Sequence, residues 1–449
     1  MTSFQARRGT VLIITILVTF ALAAMAIALC RSMRVEAIAA ANLAATVQAD
    51  SVERGAEQYV LAMLEQEGQN ISTVSEDQFA GVQVGDGYFW VLRPEYDDAT
   101  LPLYGLVEEG AKLNINTANY DQLIALPGMT DDIAAAIIDW RDEDSNATAG
   151  GAESEYYLAL PTPYYAKNGA FETVEELLLV RGMTRDYLYG TGTGIPLGTT
   201  VRTRSSASTG SGDPMLARGL YNLLTVYSAE TNLSGSGQAM EDVTRRSRRE
   251  QLRRLLREKL AKGRAEAIIQ KIGTTDLDDQ FHLYVLGQMK PEDLEAIEDS
   301  ITCVRGNPVR GRINVRTAPR EVLLTLPKLD SSDVDKIISA RSSATKPDTL
   351  SWFAEALKQK AVGLGPVVTA KASQYSADIL AVSGNGRSYR RVRVVINTRQ
   401  TPQIVYRRDI SDRGWPMDKQ ILETLRSGQA LGRNGMSSSG LTAGMGSTR

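Results

Sequence analysis

The residues best suited to chemistry in this 449-residue sequence are the carboxylates of one short acidic stretch. They are Asp139, Asp142, Glu143, Asp144 and Glu153. Hard cations such as calcium take six to eight oxygen ligands, and carboxylates at this density repel one another unless a cation compensates them. The stretch therefore predicts a cation site with Asp139, Asp142, Asp144 and Glu153 as ligands. The alternative is an acidic turn that is only solvated.

Other catalytic or metal chemistry has few residues to draw on. The sequence has one histidine, His282, and two cysteines, Cys30 and Cys303. It therefore predicts neither a zinc site, a disulfide framework nor a histidine-based triad. A carboxylate acid–base pair would need one member in an apolar pocket that raises its pKa, and the acidic stretch is uniformly polar. We predict that the chain is not an enzyme.

The N-terminal segment predicts how the chain is anchored. Residues 10–29 are uncharged and mostly apolar, and a helix of about 20 residues spans the hydrocarbon layer of a bilayer. Arg7 and Arg8 precede it. Because positive residues stay cytoplasmic, we expect a single-pass inner-membrane protein with its C-terminal bulk in the periplasm. Apolar and small residues continue at helical spacing to Leu64, so one helix of about 55 residues should leave the bilayer and pack on a domain.

A basic leader ending in glycine, followed by the apolar start of a long helix, resembles a type IV prepilin or a type II secretion pseudopilin. The resemblance implies that prepilin peptidase cleaves between Gly9 and Thr10, and that the new N-terminus is methylated. The assembly helix would then include Val11, Leu12, Ile13, Ile14 and Leu17. Most pilins have glutamate in place of Ile14, where its charge neutralises the amino terminus of a neighbouring subunit. An apolar residue there fits a subunit at the tip, which has no such neighbour.

Two segments, 112–144 and 312–342, share one pattern and form an internal repeat. In each, Asn and a Thr-Ala pair precede a short apolar helix, Leu-Pro ends it, and Asp or Ser begins a second helix. The pattern predicts a helix-hairpin-helix, a motif that can present turn amides to a nucleic-acid phosphate. Charge makes nucleic acid unlikely as a partner. Residues 112–190 carry five basic and thirteen acidic side chains, and Lys328 replaces the turn glycine in the second copy.

The sequence after the first repeat narrows the resemblance. The matching residues are Asp139, Trp140, Asp142, Asp144, Gly151, Ala152, Glu153, Tyr156, Tyr157, Asn168, Glu176, Leu177, Gly182, Asn314, Thr317 and Ala318. This series resembles the minor pseudopilin K family of the type II secretion system.

That resemblance implies a subunit at the tip of the pseudopilus, which initiates its assembly with other minor pseudopilins and the major pseudopilin. It also implies support of protein export across the outer membrane, and calcium as the cation of the acidic stretch. The alternative is a type IV pilus or competence component that binds DNA through its helix-hairpin-helix motifs.

Strand patterns at both ends of the chain set the predicted fold class. Residues 81–96, 101–110 and a hairpin around 384–386 indicate strands, whereas the sequence between them is mostly helical in pattern. We predict an α+β fold with a pilin-like long N-terminal helix, a small antiparallel sheet and a large, mainly α-helical inserted domain containing helix-hairpin-helix (SAM-like) repeats. The predicted units are a prepilin leader (1–9), the membrane helix and first part of the pilin-like domain (10–110), an inserted α domain with the first repeat (111–228), an extra insertion with a basic helix (229–311), the second repeat (312–374), the C-terminal strands of the pilin-like domain (375–426) and a disordered tail (427–449).

The basic helix of the extra insertion has no counterpart in the resemblance. Seven arginines lie between Arg245 and Arg257, offset by leucines. A basic amphipathic helix can bind lipid headgroups, polyanions or an acidic partner. The simpler alternative is a solvated helix face.

Overall fold

A computed structural model describes residues 7–68, 71, 74–94, 104–190 and 219–432, with side chains from residue 11 onward. The start of the predicted leader (1–6) and the end of the predicted tail (433–449) lie outside these residues. The backbone of Gly9 and Thr10 belongs to the first helix, whereas the side chain of Thr10 is not among those described.

Helices and strands alternate along the described chain as follows. The α-helices are α1 (Arg7–Glu67), α2 (Tyr120–Ile124), α3 (Asp131–Arg141), α4 (Ser154–Leu158), α5 (Arg185–Tyr189), α6 (Arg249–Lys259), α7 (Lys262–Ile272), α8 (Gln280–Leu286), α9 (Pro291–Glu298), α10 (Arg320–Leu323), α11 (Ser331–Ser343), α12 (Ser351–Leu357) and α13 (Lys419–Arg426). The strands are β1 (Val82–Val84), β2 (Gly87–Leu92), β3 (Val107–Glu108), β4 (Leu113–Asn114), β5 (Leu224–Thr225), β6 (Ala229–Glu230), β7 (Glu241–Asp242), β8 (Ile301–Thr302), β9 (Val309–Arg310), β10 (Ile313–Asn314), β11 (Val368–Thr369), β12 (Gln374–Val382), β13 (Tyr389–Asn397) and β14 (Gln403–Asp409). Short 3-10 helices cover Glu76–Gln78, Glu109–Ala111, Val174–Leu179, Tyr221–Leu223, Arg246–Arg248, Lys358–Ala361 and Ser411–Arg413.

Helix α1 runs without a break from the predicted membrane span into the folded part of the chain. Every residue from Val11 to Ala40 is exposed, and this part is long and apolar enough to cross a bilayer. Further along, one face is buried against the sheet because small and apolar residues recur at helical spacing. These buried residues are Ala45, Ala49, Val52, Ala56, Val60 and Leu64.

The main sheet is built from strands at opposite ends of the chain. Its order is β1-β2-β12-β13-β14, with β3 also paired to β12, and every pairing is antiparallel. All residues of β2 and β12 are buried, because α1 covers one face and α13 the other. Leu431, which the sequence assigns to a disordered tail, is buried against the α13 side. The predicted α+β class, with a long helix, a small antiparallel sheet and a large helical insertion, is confirmed.

The two repeats adopt the same arrangement of strand, short helix, turn and longer helix. The first is β4, α2 and α3, and the second is β10, α10 and α11. Each leading strand pairs in parallel with a strand further along the chain, β4 with β5 and β10 with β11. At the end of each longer helix an arginine donates to a carbonyl of the leading turn, Arg141 to Ala118 and Arg341 to Ala318. Their membership of the helix-hairpin-helix class stays a prediction.

The extra insertion belongs to the same core as both repeats. Leu252 and Leu256 of α6 and Ile268 of α7 are buried in one apolar cluster with Ile137 of α3 and Ile337 of α11. Residues 229–311 therefore pack as part of the helical insertion and do not form a separate core.

Buried ion pairs join the insertion to the sheet. Glu108, in β3, accepts hydrogen bonds from the Arg316 guanidinium and the Thr317 hydroxyl, both at 2.6 Å. Lys112 and Glu109 form a second buried ion pair. Because buried charges are costly unless paired, the contacts of Glu108 hold the second repeat on the sheet, and Lys112 joins the start of the first repeat to Ser376 of β12.

Glu230 of β6 gives the insertion a pH dependence. Burial raises its pKa from 4.5 to about 7. A raised folded-state pKa gives stability that is present below pH 4.5 and is lost as pH rises through about 7. We expect Glu230→Gln to stabilise the full-length protein at pH 8 by on the order of 2–3 kcal/mol and to leave stability at pH 4 unchanged. Urea unfolding in detergent at both pH values tests this. Equal effects of Glu230→Gln and of Glu292→Gln, an exposed control, would contradict it.

Candidate metal centre

Three of the four predicted cation ligands meet at the C-terminal end of α3. Asp139 lies in the last turn of α3, and Asp142 follows one turn later as its C-cap residue. Glu153 immediately precedes α4. Residues three apart on a helix share a face, so the two aspartates point the same way. One carboxylate oxygen from each of the three residues lies within 4.8 Å of the others. We call these residues the acidic cluster.

Two residues of the acidic cluster are buried and the third, Asp142, is half-buried, and none of the three forms an ion pair within the described residues. Asp139 is fully buried and Glu153 is 4% exposed. Both oxygens of Glu153 and Oδ1 of Asp142 have no hydrogen-bond partner among the described residues. Burial, and then the neighbouring carboxylates, raise the pKa of Asp142 and of Glu153. Uncompensated buried carboxylates are unfavourable, so the cluster has the burial and oxygen chemistry that suit a hard cation.

The fourth predicted ligand, Asp144, stands apart from this group. It is exposed, and its carboxylate accepts a hydrogen bond of 2.7 Å from the amide of Asn146. The amide group of Asn168 donates to the main-chain oxygen of Asp144. Asn168 Oδ1 is buried without a described partner. Its left-handed backbone, with φ of 45°, is a conformation that asparagine tolerates better than most residues.

Two neighbours shape the acidic cluster. The main chain of Gly151 approaches so closely that a Cβ there would lie 1.9 Å from Asp139 Oδ2. Thr148 donates to Asp139 through its hydroxyl at 2.8 Å and through its amide at 3.1 Å. Beneath the cluster, Trp140 packs edge-on against Tyr157 with ring centroids 5.2 Å apart. The acidic cluster is thus a preformed group of oxygens next to the packed rings of Trp140 and Tyr157, which we call the aromatic base.

The turns of the two repeats are poor phosphate sites. Gly128 and Lys328 occupy them with positive φ of 69° and 65°, so lysine takes the same left-handed turn. At the start of α11 the free amides are already used, because the Asp330 carboxylate accepts from Ser332 and Asp333. Carboxylates in the first turn of α3 would likewise repel an anion. The DNA-binding alternative is not favoured.

The arginines of the basic helix are mostly paired inside the insertion. Their described partners form the pairs Arg245–Asp242, Arg246–Asp276, Arg248–Glu241, Arg253–Glu250 and Arg257–Glu266. Because these acidic partners neutralise the helix locally, the surface has little free positive charge for lipid or polyanion. This supports the alternative of a solvated helix face.

Comparison with known proteins finds a family model that matches one region of the chain. Residues 99–189, which contain the first repeat and the acidic cluster, match the family model described as "Type II secretion system (T2SS), protein K". The resemblance to that family, predicted from the sequence, is confirmed.

Individual relatives match over shorter stretches or at lower similarity. Type II secretion system protein K of Pectobacterium carotovorum subsp. carotovorum is 43% identical over 54 residues, which are 12% of this chain and 16% of that relative's length. A chain in the crystal structure of the GspK-GspI-GspJ complex from the type 2 secretion system of enterotoxigenic Escherichia coli is 14% identical. That alignment covers 81% of this chain and 95% of the other, with a TM-score of 0.37.

Proposed function

We propose that this chain is a minor pseudopilin at the tip of the type II secretion pseudopilus, where it initiates assembly and supports protein export across the outer membrane. The observation that carries the proposal is the protein K match over residues 99–189. It lies in a chain whose α1 has an exposed apolar half and a half packed on a sheet. The partners would be other minor pseudopilins, the major pseudopilin and prepilin peptidase, with the helix in the inner membrane and the bulk in the periplasm.

Position at the tip follows from shape and charge. Subunits would associate along the exposed residues of α1, including Val11, Leu12 and Leu17, where neighbouring small residues allow close helix packing. Ile14 offers no carboxylate to a subunit above it. The helical insertion between β3 and β12 is too large to fit between stacked subunits of a helical fibre. Only the end of the fibre leaves room for it.

Processing of the N-terminus tests the proposal. We expect mass spectrometry of the membrane-extracted chain to show Thr10 as a methylated first residue when prepilin peptidase is present, and an uncut leader without it. Gly9→Arg should block cleavage and abolish export of a secreted protein in a deletion strain, whereas Ile14→Val should preserve both. An uncut chain in the presence of peptidase, or a cut beyond residue 29, would contradict the proposed role.

We also propose that the acidic cluster binds calcium through Asp139, Asp142 and Glu153. Bound there, the ion would neutralise the three carboxylates and tie the end of α3 to the start of α4. The supporting observation is the set of buried carboxylate oxygens without described partners.

Gly151→Ala tests calcium binding without removing a ligand. The new Cβ would collide with the Asp139 carboxylate, so we expect the calcium dissociation constant to rise about 10- to 100-fold. Gly169→Ala is a matched control, because its nearest contact is 3.8 Å away. Calorimetric titration of both full-length variants in detergent measures the difference. Equal affinities, or no calcium uptake by the unmodified chain, would refute the calcium site.

A further inference from the structure

The helical insertion exposes a group of apolar side chains beside the acidic cluster. Outside α1, the described part of the chain has six exposed large apolar residues, and four of them lie between residues 156 and 179. They are Tyr156, Leu158, Tyr165 and Leu179, with exposures of 40%, 44%, 71% and 46%. We call these four residues the aromatic patch.

Contacts beneath the aromatic patch join it into one surface. Tyr157, which is fully buried, has its ring centroid 5.2 Å from that of Tyr156 and 5.2 Å from that of Tyr164. The Tyr164 hydroxyl donates to the carbonyl of Leu179 at 2.8 Å. The patch therefore rests on packed rings, so a partner would bind it with little loss of conformational entropy.

The positive charges near the aromatic patch are already engaged. Arg181 donates to the carbonyl of Gly151 at 2.8 Å and lies 5.2 Å over the Tyr156 ring. Lys167 pairs with Glu176 at 2.9 Å and with Glu172 at 3.4 Å. The charge of Lys167 is thus offset by two carboxylates, whereas Arg181 keeps its charge but is held against Gly151 and Tyr156.

The negative charges near the aromatic patch are free. Glu143, Asp144 and Glu155 are exposed and form no ion pair within the described ranges. The amide of Ala166 donates to Ser154 Oγ at 3.0 Å, which brings the segment that carries Tyr165 to the start of α4, where Glu155 lies. The patch is therefore an apolar surface edged by unpaired carboxylates, the complement of an apolar projection edged by lysine or arginine.

We propose that the aromatic patch docks a folded protein that presents an apolar projection surrounded by basic side chains. The free carboxylates disfavour a membrane, because anionic headgroups would be repelled. The patch lies on the insertion and not on α1, so docking there does not use the residues of the assembly helix. Exposed apolar residues grouped in this way commonly mark a protein interaction site.

Photo-crosslinking in cells with the complete secretion system tests the proposal. The full chain carries benzoylphenylalanine at position 165, or at position 405 as a control, because Val405 of β14 is also 46% exposed. We expect a light-dependent protein adduct at 165 and none at 405. Glu155→Lys combined with Asp144→Lys should reduce the adduct at 165 about tenfold, because it reverses the complementary charge. Asp348→Lys, at an exposed carboxylate elsewhere, should leave the yield unchanged.

Three outcomes would overturn the docking surface. They are a lipid adduct at 165, equal adducts at 165 and 405, and a yield at 165 that ignores charge reversal. Circular dichroism of each purified variant checks that these surface changes leave the fold intact. The N-terminus of the chain is sequenced in the same samples. A chain that is never cleaved after Gly9 would refute the proposed secretion role, whereas the adducts at 165 and 405 test the docking surface independently.

Discussion

Replacing Asp378 with alanine is expected to lower the free energy of unfolding by about 3–5 kcal/mol, because it removes the buried carboxylate that pairs with two arginines of the sheet. Asp378 lies in β12, and its oxygens accept from Arg391 at 2.9 and 2.8 Å and from Arg393 at 3.3 Å. Arg391 is fully buried. Burial alone would raise the pKa of Asp378, but the two guanidiniums hold it below its ordinary value. The stability from this pairing is present at neutral pH. It is lost as the pH falls through the lowered pKa of Asp378.

Chemical unfolding of the full-length protein in detergent, followed by circular dichroism, measures the loss. Asp348→Ala is the control, because its side chain is exposed and should change stability by no more than about 0.5 kcal/mol. Replacing Asp378 and Arg391 together by leucine and methionine should recover much of the loss, since an apolar pair leaves less charge unpaired. A loss below about 1 kcal/mol for Asp378→Ala would show that water reaches these arginines.

Trp140→Ala is expected to cost about 3–5 kcal/mol and to weaken calcium binding, because it opens a cavity under the acidic cluster. Trp140 is 3% exposed and contacts the rings of Tyr157, Tyr164 and Phe171 at centroid distances of 5.2, 6.2 and 6.5 Å. Trp140 also follows Asp139 directly in α3. If the surrounding residues collapsed into the cavity left by the indole ring, the Asp139 carboxylate would move with them. Thermal unfolding and calcium titration measure the two effects.

Trp140→Phe separates ring packing from hydrogen bonding. The indole Nε1 is buried and has no hydrogen-bond partner among the described residues, so phenylalanine loses volume but no described bond. We expect a loss of about 1–2 kcal/mol, well below that of alanine. Equal losses for the two variants would mean that the aromatic base does not support the cluster.

Local patterns in the sequence predicted much of the fold. The apolar run and its helical continuation gave α1, and the Gly-Asn-Gly turn between alternating residues gave the β12–β13 hairpin, because both signals lie within one element. The ligands of the acidic cluster were predicted from the density of carboxylates in the sequence. Asp139 and Asp142 meet because they are three residues apart at the end of α3. The position of Glu153 depends on the path of the intervening loop, which the sequence does not reveal.

What the sequence could not predict depends on contacts between distant residues. The ion pair of Arg246 with Asp276 joins residues 30 apart in the sequence. The sequence alone therefore could not show that the arginines of the basic helix have acidic partners. Helix α13 was missed because its eight residues are too few for a helical pattern to stand out. Its burial needs the apolar face of the sheet, which includes Trp90 and Leu380. Asp144 was predicted as a ligand from charge density, which does not reveal which side chains turn outward.

The split sheet also sets an order for folding during synthesis. Strand β2 pairs with β12, and residues 93–373 must leave the ribosome before that partner arrives. Pairings between residues so distant in sequence form slowly. Until then no complete sheet covers Val52 and Val60 of α1. This face of the helix therefore stays exposed while the insertion is synthesised. A chaperone or a neighbouring helix that shields this face would act in that interval, before β12 pairs with β2.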